Sequence, residues 1–154
     1  ERAAQLGLAA RVHLLGRLPH DDVLALMERA LVFALPSWDE AFGLVYTEAM
    51  MAGTPVIACR AEGPEDFVVD GVTGYLVPAH DATALTTAIE RVLDDPAAAR
   101  AAGAAGRRAA AGLTWQRNAD RQKQIYEWVL GRGPAPDRED RHDGSGGHDE
   151  RTQA

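Results

Sequence analysis

One cysteine, Cys59, stands in the 154 residues, so no intrachain disulfide can form. It closes an apolar run and reads as a small core residue, a usage that fits the cytoplasm. No apolar run approaches the roughly 18 residues of a membrane-spanning helix, and the start does not look like a secretory signal. Basic residues are the scarcer charge, 16 against 23 acidic, for a net charge of -7. Without a basic stripe interleaved with aromatics, the composition argues against nucleic acid as a partner. The first residue is Glu1 rather than a methionine, so the chain reads as a piece of a longer protein.

What is present suffices for one domain. A chain this long with 46% hydrophobic residues buries a sizeable core. Glu1 to Ala10 has helical spacing, and Val12 to Leu15 reads as a strand. Asp21 or Asp22 is placed to cap a helix carrying Val23, Leu26, Met27 and Ala30 on one side. Leu31 to Leu35 and Pro55 to Cys59 read as buried strands, and Pro64 opens a short helix through Val69. Turn signals at Asp70-Gly71 and Thr73-Gly74 frame a last strand, Tyr75 to Val77. Asp81 caps a helix with Leu85, Ile89, Val92 and Leu93. Asp95-Pro96 starts another helix, and Thr114 caps the last, Trp115 to Leu130. Continuous apolar strands alternating with helices predict an α/β fold, a parallel sheet covered on both faces. Residues 1–131 form the domain. From Arg132 onward Pro, Gly, Asp, Arg and His dominate, which predicts a disordered tail over 132–154.

The chain is organised around Glu40 to Met50, a junction where a strand leaves through Pro36-Ser37-Trp38-Asp39 and a helix begins. Helical spacing from Leu44 puts Leu44, Val45, Glu48, Ala49 and Ala52 on one stripe, with Glu48 inside a face that otherwise wants burial. A carboxylate buried without a partner costs several kcal/mol, so Glu48 should meet a fixed donor or ligand hydroxyls. Gly43, at the helix start, lets a ligand approach the free amides of the first turn, a site that attracts anions. Glu40 stands just ahead of it. Two carboxylates would repel a phosphate, so their natural task is to accept hydrogen bonds from sugar hydroxyls. The ligand chemistry is phosphate plus sugar. The competing reading has Glu40 complementing the helix dipole and Glu48 paired with an arginine.

Pro36-Ser37, Glu40-Ala41-Phe42-Gly43-Leu44, Glu48-Ala49-Met50 and Gly53-Thr54-Pro55-Val56-Ile57-Ala58 closely resemble the donor-site signature of retaining glycosyltransferases of family four. In that signature two glutamates are separated by seven residues, as here. The likeness continues through Gly63-Pro64-Glu65-Asp66, Asp70-Gly71-Val72-Thr73-Gly74, Val77-Pro78 and Asp81 to Leu113-Thr114-Trp115 and Tyr126. It implies a GT-B fold, of which this chain resembles the later part of the second domain, an incomplete doubly wound, Rossmann-like sheet. It implies a nucleotide diphosphate sugar as donor, transferred to an acceptor hydroxyl with retention of configuration and without a metal or other cofactor.

Carried over by the resemblance, Glu48 holds the ribose hydroxyls and Glu40, the catalytic candidate, lies by the donor sugar. The backbone amides of Phe42, Gly43 and Leu44 contact the sugar, and those around Val45 the diphosphate. Thr47 is a further candidate, although a helical threonine often bonds back to its own backbone. Gly16, Arg17 and Leu18 occupy the loop that in the family lies beside the base. His13, His20 and His80 lack metal-ligand spacing. His142 and His148 sit among aspartates in the tail, where weak adventitious metal binding is the only role suggested.

The chain departs from the family by omission. The Arg and Lys that neutralise the diphosphate, a further histidine and the acceptor site lie upstream in the family, in segments not present here. If the strands follow the order 3-2-1-4-5-6, two strands belong between Val12–Leu15 and Leu31–Leu35. Residues 1–154 alone are therefore expected to be inactive and to aggregate through unpaired edges and exposed apolar faces. A soluble monomer with a cooperative thermal transition would contradict that expectation. Two other readings stay open. One is a GT-B relative such as an epimerase or phosphorylase, which a product assay separates. The other is a non-catalytic nucleotide-binding or interaction module.

Overall fold

The computed structural model describes residues 1–136. Its elements are α1 (Arg2–Gln5), α2 (His20–Arg29), β1 (Phe33–Ala34), α3 (Leu44–Ala52), β2 (Val56–Cys59), a single 3-10 turn (Gly63–Asp66), β3 (Tyr75–Val77), α4 (Ala82–Asp94), α5 (Pro96–Ala110) and α6 (Trp115–Val129). The three strands are parallel and lie in sequence order, β1-β2-β3. Phe33 pairs with Val56, and Ile57 to Cys59 pair with Tyr75 to Val77.

Alternation along the strands divides the core between the two sheet faces. Val56, Ala58 and Leu76 join Met27, Tyr46, Ala49, Met50, Phe67, Val68 and Ala110 on one face. Ile57, Tyr75 and Val77 join Ala88, Val92 and Ala99 on the other. Every residue of β2 is buried, which is why that segment reads as an unbroken apolar run rather than an alternating one. Helix α5 packs through small residues. A Cβ on Gly103 would stand 2.2 Å from the Gly53 carbonyl oxygen, so its backbone lies directly on the turn that ends α3.

Local chemistry sets most helix boundaries as read. The Asp81 carboxylate accepts from the Ala84 amide, that of Asp95 from Ala97 and Ala98, and the Thr114 hydroxyl from Arg117, each cap contributing about 1 kcal/mol. Gly53 ends α3 with φ of 85°, the left-handed cap that glycine adopts without strain.

Other expectations need correction. Val12 to Leu15 is not a strand: the segment is exposed, Leu14 by 93%, and pairs with no strand among the described residues. An apolar run becomes a strand only when a neighbour accepts its ladder of hydrogen bonds. The first helix covers only Arg2–Gln5. Neither Asp21 nor Asp22 caps α2. The helix starts two or three residues earlier than such a cap would set it, at His20 behind Pro19, and both acids sit in its first turn, where they complement the dipole. On α2, Leu24 turns inward with Val23 and Met27, and Leu26 outward. The helix expected through Val69 stops at Asp66. On α4, Leu93 is exposed and Ala88 takes its place in the core. Helix α6 buries no residue among those described, leaving Trp115 87% exposed. Of the expected tail, Arg132 to Pro136 carry no helix or strand, and the remainder, with His142 and His148, lies outside the described residues.

Candidate functional site

In a parallel sheet all strands end on one edge, so the loops after β1, β2 and β3 meet there. Three non-glycine residues in these loops, Asp39, Ala61 and His80, have φ of 61°, 59° and 60°. Left-handed backbone at such residues is uncommon, and it clusters where surrounding structure overrides local preference.

Glu40 is held in this edge by the loop after β2. Its amide donates to the Glu62 carboxylate at 2.7 Å, and its carbonyl accepts from the Gly63 amide at 2.8 Å. Gly63 is glycine for a steric reason: a Cβ would stand 2.4 Å from the Ala41 carbonyl oxygen. The backbone of residues 40 to 42 is thus clamped, while the half-buried Glu40 side chain takes no hydrogen bond or ion pair among the described residues. Neither Glu62 nor Gly63 was singled out from sequence as a support for Glu40. They lie over twenty positions away, and no local pattern announces such a partner.

Next along the chain, Phe42 is 41% exposed with its ring 5.2 Å from that of Phe67. Gly43 precedes α3 with φ of 82°, and no side chain caps the helix. Tyr46 donates its amide back to the Gly43 carbonyl, while the amides of Phe42, Gly43, Leu44 and Val45 have no acceptor among the described residues. Backbone amides without an acceptor at a helix start are groups of the kind that attract anions. Tyr46 fixes where they point. It is fully buried, its ring meets Phe33 edge-on at 5.8 Å, and its hydroxyl donates to the Leu35 carbonyl at the end of β1. Burial pushes its phenol above the ordinary value.

The stripe expected on α3 is rotated by about one residue. Tyr46, Ala49 and Met50 face the core, whereas Leu44 is 66% exposed and Val45 and Ala52 are only partly buried. Glu48 therefore lies at the border of the buried face, its side chain 36% exposed. The desolvation argument for a required partner does not hold at that exposure, and what marks Glu48 is its location. It lines a cleft of about 310 Å³ with His20, Leu24 and Glu28 of α2 and Thr47, Met51 and Ala52 of α3. The basic side chain beside it is not an arginine but His20, with Nε2 3.9 Å from the carboxylate. That distance leaves the carboxylate oxygens open to hydroxyl donors. Thr47 lines the same cleft, but its hydroxyl donates to the Leu44 carbonyl at 2.7 Å, the backbone bond foreseen for it.

His20 and Glu28 were not assigned to the site from sequence. The helical period placing 20, 24 and 28 on one face of α2 was available, but not that this face meets α3. Gly16, Arg17 and Leu18 form the loop leading into α2, with Gly16 at φ of 65°, Arg17 exposed and Leu18 half-buried. None of the three lines the cleft. Among the described residues no group of three His, Cys, Asp or Glu side chains is gathered for a metal, and no helix is long and apolar enough to cross a membrane.

The parallel sheet of three strands with helices packed on both of its faces is the architecture of a GT-B glycosyltransferase domain, the class to which the similar solved structures belong. The chain belongs to the family described as glycosyl transferases group 1, whose model matches residues 1–109. A D-inositol 3-phosphate glycosyltransferase of Corynebacterium diphtheriae is 40% identical over 126 residues, 82% of this chain and 30% of that protein. Sucrose-phosphate synthase of Thermosynechococcus elongatus superposes with a TM-score of 0.73 at 39% identity, over 84% of this chain and 33% of that one. HepE of Anabaena, solved in complex with UDP-glucose, superposes with a TM-score of 0.69 at 29% identity, over 84% of this chain and 35% of that one. The chain thus spans about a third of the length of each.

Proposed function

We propose that this chain binds the nucleotide diphosphate sugar donor of a retaining glycosyltransferase, which transfers the sugar to an acceptor hydroxyl. The observation that carries the proposal is the uncapped start of α3, with open amides from Phe42 to Val45, flanked by Glu40 and Glu48, in a member of this family. The amides of Phe42, Gly43 and Leu44 contact the transferred sugar, and those around Val45 face the charge that grows on the diphosphate as the sugar leaves, where preorganised dipoles act most strongly. Glu48 accepts from the ribose hydroxyls in the cleft beside His20, and Thr47 contributes its position there. Glu40, its backbone clamped by Glu62 and Gly63, accepts from hydroxyls of the transferred sugar. Gly16, Arg17 and Leu18 lie on the base side, in the loop before His20. The leaving phosphate stays on the face that the acceptor attacks, which gives retention. No metal or other cofactor is assigned, and the acceptor is contacted chiefly through an N-terminal domain of the full-length enzyme. The composition supports a cytoplasmic setting.

The test is calorimetry and steady-state kinetics on the full-length enzyme with UDP-glucose as the probe donor. Hydrogen bonds to a charged group contribute about 1.5–3 kcal/mol each, so Glu48→Ala is expected to weaken donor binding by roughly 10- to 100-fold. Glu40→Ala is expected mainly to lower turnover with little change in donor affinity. If both variants keep wild-type affinity and turnover, the site assignment is wrong.

A further inference from the structure

Trp38 lies in the loop after β1, two residues before Glu40, and keeps 58% of its surface exposed. Its ring is not alone. The exposed His80, in the loop after β3, stands 4.4 Å away between ring centroids, with the planes tilted by 44°. The two loops reach toward each other across the loop after β2, since β2 lies between β1 and β3. Both do so in left-handed backbone: Asp39 follows Trp38 at φ of 61°, and His80 itself sits at 60°. Such a conformation costs at least about 1 kcal/mol at each of the two non-glycine residues, which one ring contact, worth about 0.5–1.5 kcal/mol, offsets only in part. The two loops thus end in a solvent-facing indole with an imidazole tilted against it, an aromatic corner that offers the indole face to a ring ligand.

We propose that Trp38 and His80 form a platform on which the ring of the sugar or cyclitol acceptor stacks. The proposal rests on the donor reading above. Along the chain that reading assigns the ribose to Glu48, the diphosphate to the start of α3 and the transferred sugar to Glu40. Glu48 meets α2, whereas Trp38 meets the loop after β3, with residues 40 to 43 between them along the chain. The group next to the transferred sugar is the one that attacks it. An indole face packs against the C–H face of a saturated ring, and the residues that follow Trp38 in the chain, Asp39 and Glu40, carry carboxylates of the kind that accept from ring hydroxyls. The platform adds an acceptor contact from this domain to those expected from the preceding one.

The experiment is calorimetry on the full-length enzyme, with and without UDP, using D-inositol 3-phosphate and maltose as acceptor probes. At least one probe is expected to bind the wild type. Loss of an aromatic stacking surface corresponds to about 10-fold in affinity, so Trp38→Ala should weaken that binding by about this factor and leave UDP affinity unchanged. Trp38→Phe, which keeps a flat ring, should retain most of the affinity, and His80→Ala should fall between. The proposal is overturned if neither probe binds the wild type or if Trp38→Ala binds the probe as well as the wild type does. It is also overturned if Trp38→Ala and Trp38→Phe lose UDP and probe binding together, which would mark a structural role. Unchanged UDP affinity in Glu48→Ala would instead strike the donor reading, so the two failures are distinguishable.

Discussion

Gly43→Ala is expected to destabilise the protein by about 2–4 kcal/mol and to abolish measurable donor binding, because the substitution fails twice at one atom. The backbone at Gly43 is left-handed, φ 82°, which costs an alanine roughly 1 kcal/mol. The added Cβ would then stand 2.4 Å and 2.7 Å from Cδ2 and Cε2 of Tyr46, and 3.1 Å from Cγ of Pro64. Tyr46 cannot turn aside, since it is fully buried and its hydroxyl is bound at the end of β1. Overpacking of this kind costs about 1–3 kcal/mol. Gly53 supplies the control. Its φ is 85°, but the nearest atom to its Cβ is Cδ of Arg107 at 3.9 Å, the flexible stem of a side chain. Gly53→Ala should therefore show the backbone cost alone, about 1 kcal/mol, with donor affinity intact. Chemical denaturation of both variants, paired with UDP-glucose calorimetry, checks the contrast. Equal losses would mean that the Tyr46 contact carries no weight.

Tyr46→Ala should cost about 3–5 kcal/mol, the range for removing a buried aromatic ring. The ring is wholly enclosed between the sheet and α3, among Phe33, Met50 and Val56. Tyr46→Phe should cost much less, about 0.5–1.5 kcal/mol, because the Leu35 carbonyl it abandons still accepts from the Ser37 amide at 2.8 Å. The phenol also has a pH signature. Burial holds its folded-state pKa above the ordinary 10.0, so the folded protein retains the proton that the unfolded chain releases. Its contribution is complete below pH 10 and is lost as pH rises above that, toward the folded value. Wild-type stability should fall more steeply than that of Tyr46→Phe in this window. Parallel curves for the two proteins above pH 10 would show that Tyr46 does not titrate on unfolding.

The parts legible in the sequence were those written in local chemistry. The boundaries of β3 followed from the turn residues around it, and the starts of α4, α5 and α6 from Asp81, Asp95-Pro96 and Thr114. Two kinds of information were not local. Val12 to Leu15 has the composition of a strand, but pairing depends on a neighbour that periodicity cannot report. On α3 only Thr47 and Glu48 are polar among nine residues, so the helix is apolar nearly all round and its pattern does not choose a face. The face was set by Tyr46, whose ring enters the core, and an aromatic near a helix start gives no sign of which way it will turn. The partners of Glu40 and Glu48, namely Glu62, Gly63 and His20, come from other loops and helices. They are visible only after folding.

Helix α3 is stopped at both ends. Tyr46 fastens its start to Leu35, the residue that follows β1, and the close seating of Gly103 on Gly53 blocks its finish. A rod held this way cannot ratchet lengthwise, so the donor proposed above would meet amides already aimed and would have no segment to order. Donor association should then leave hydrogen exchange in α3 almost unaltered, with any slowing confined to the loops that precede it.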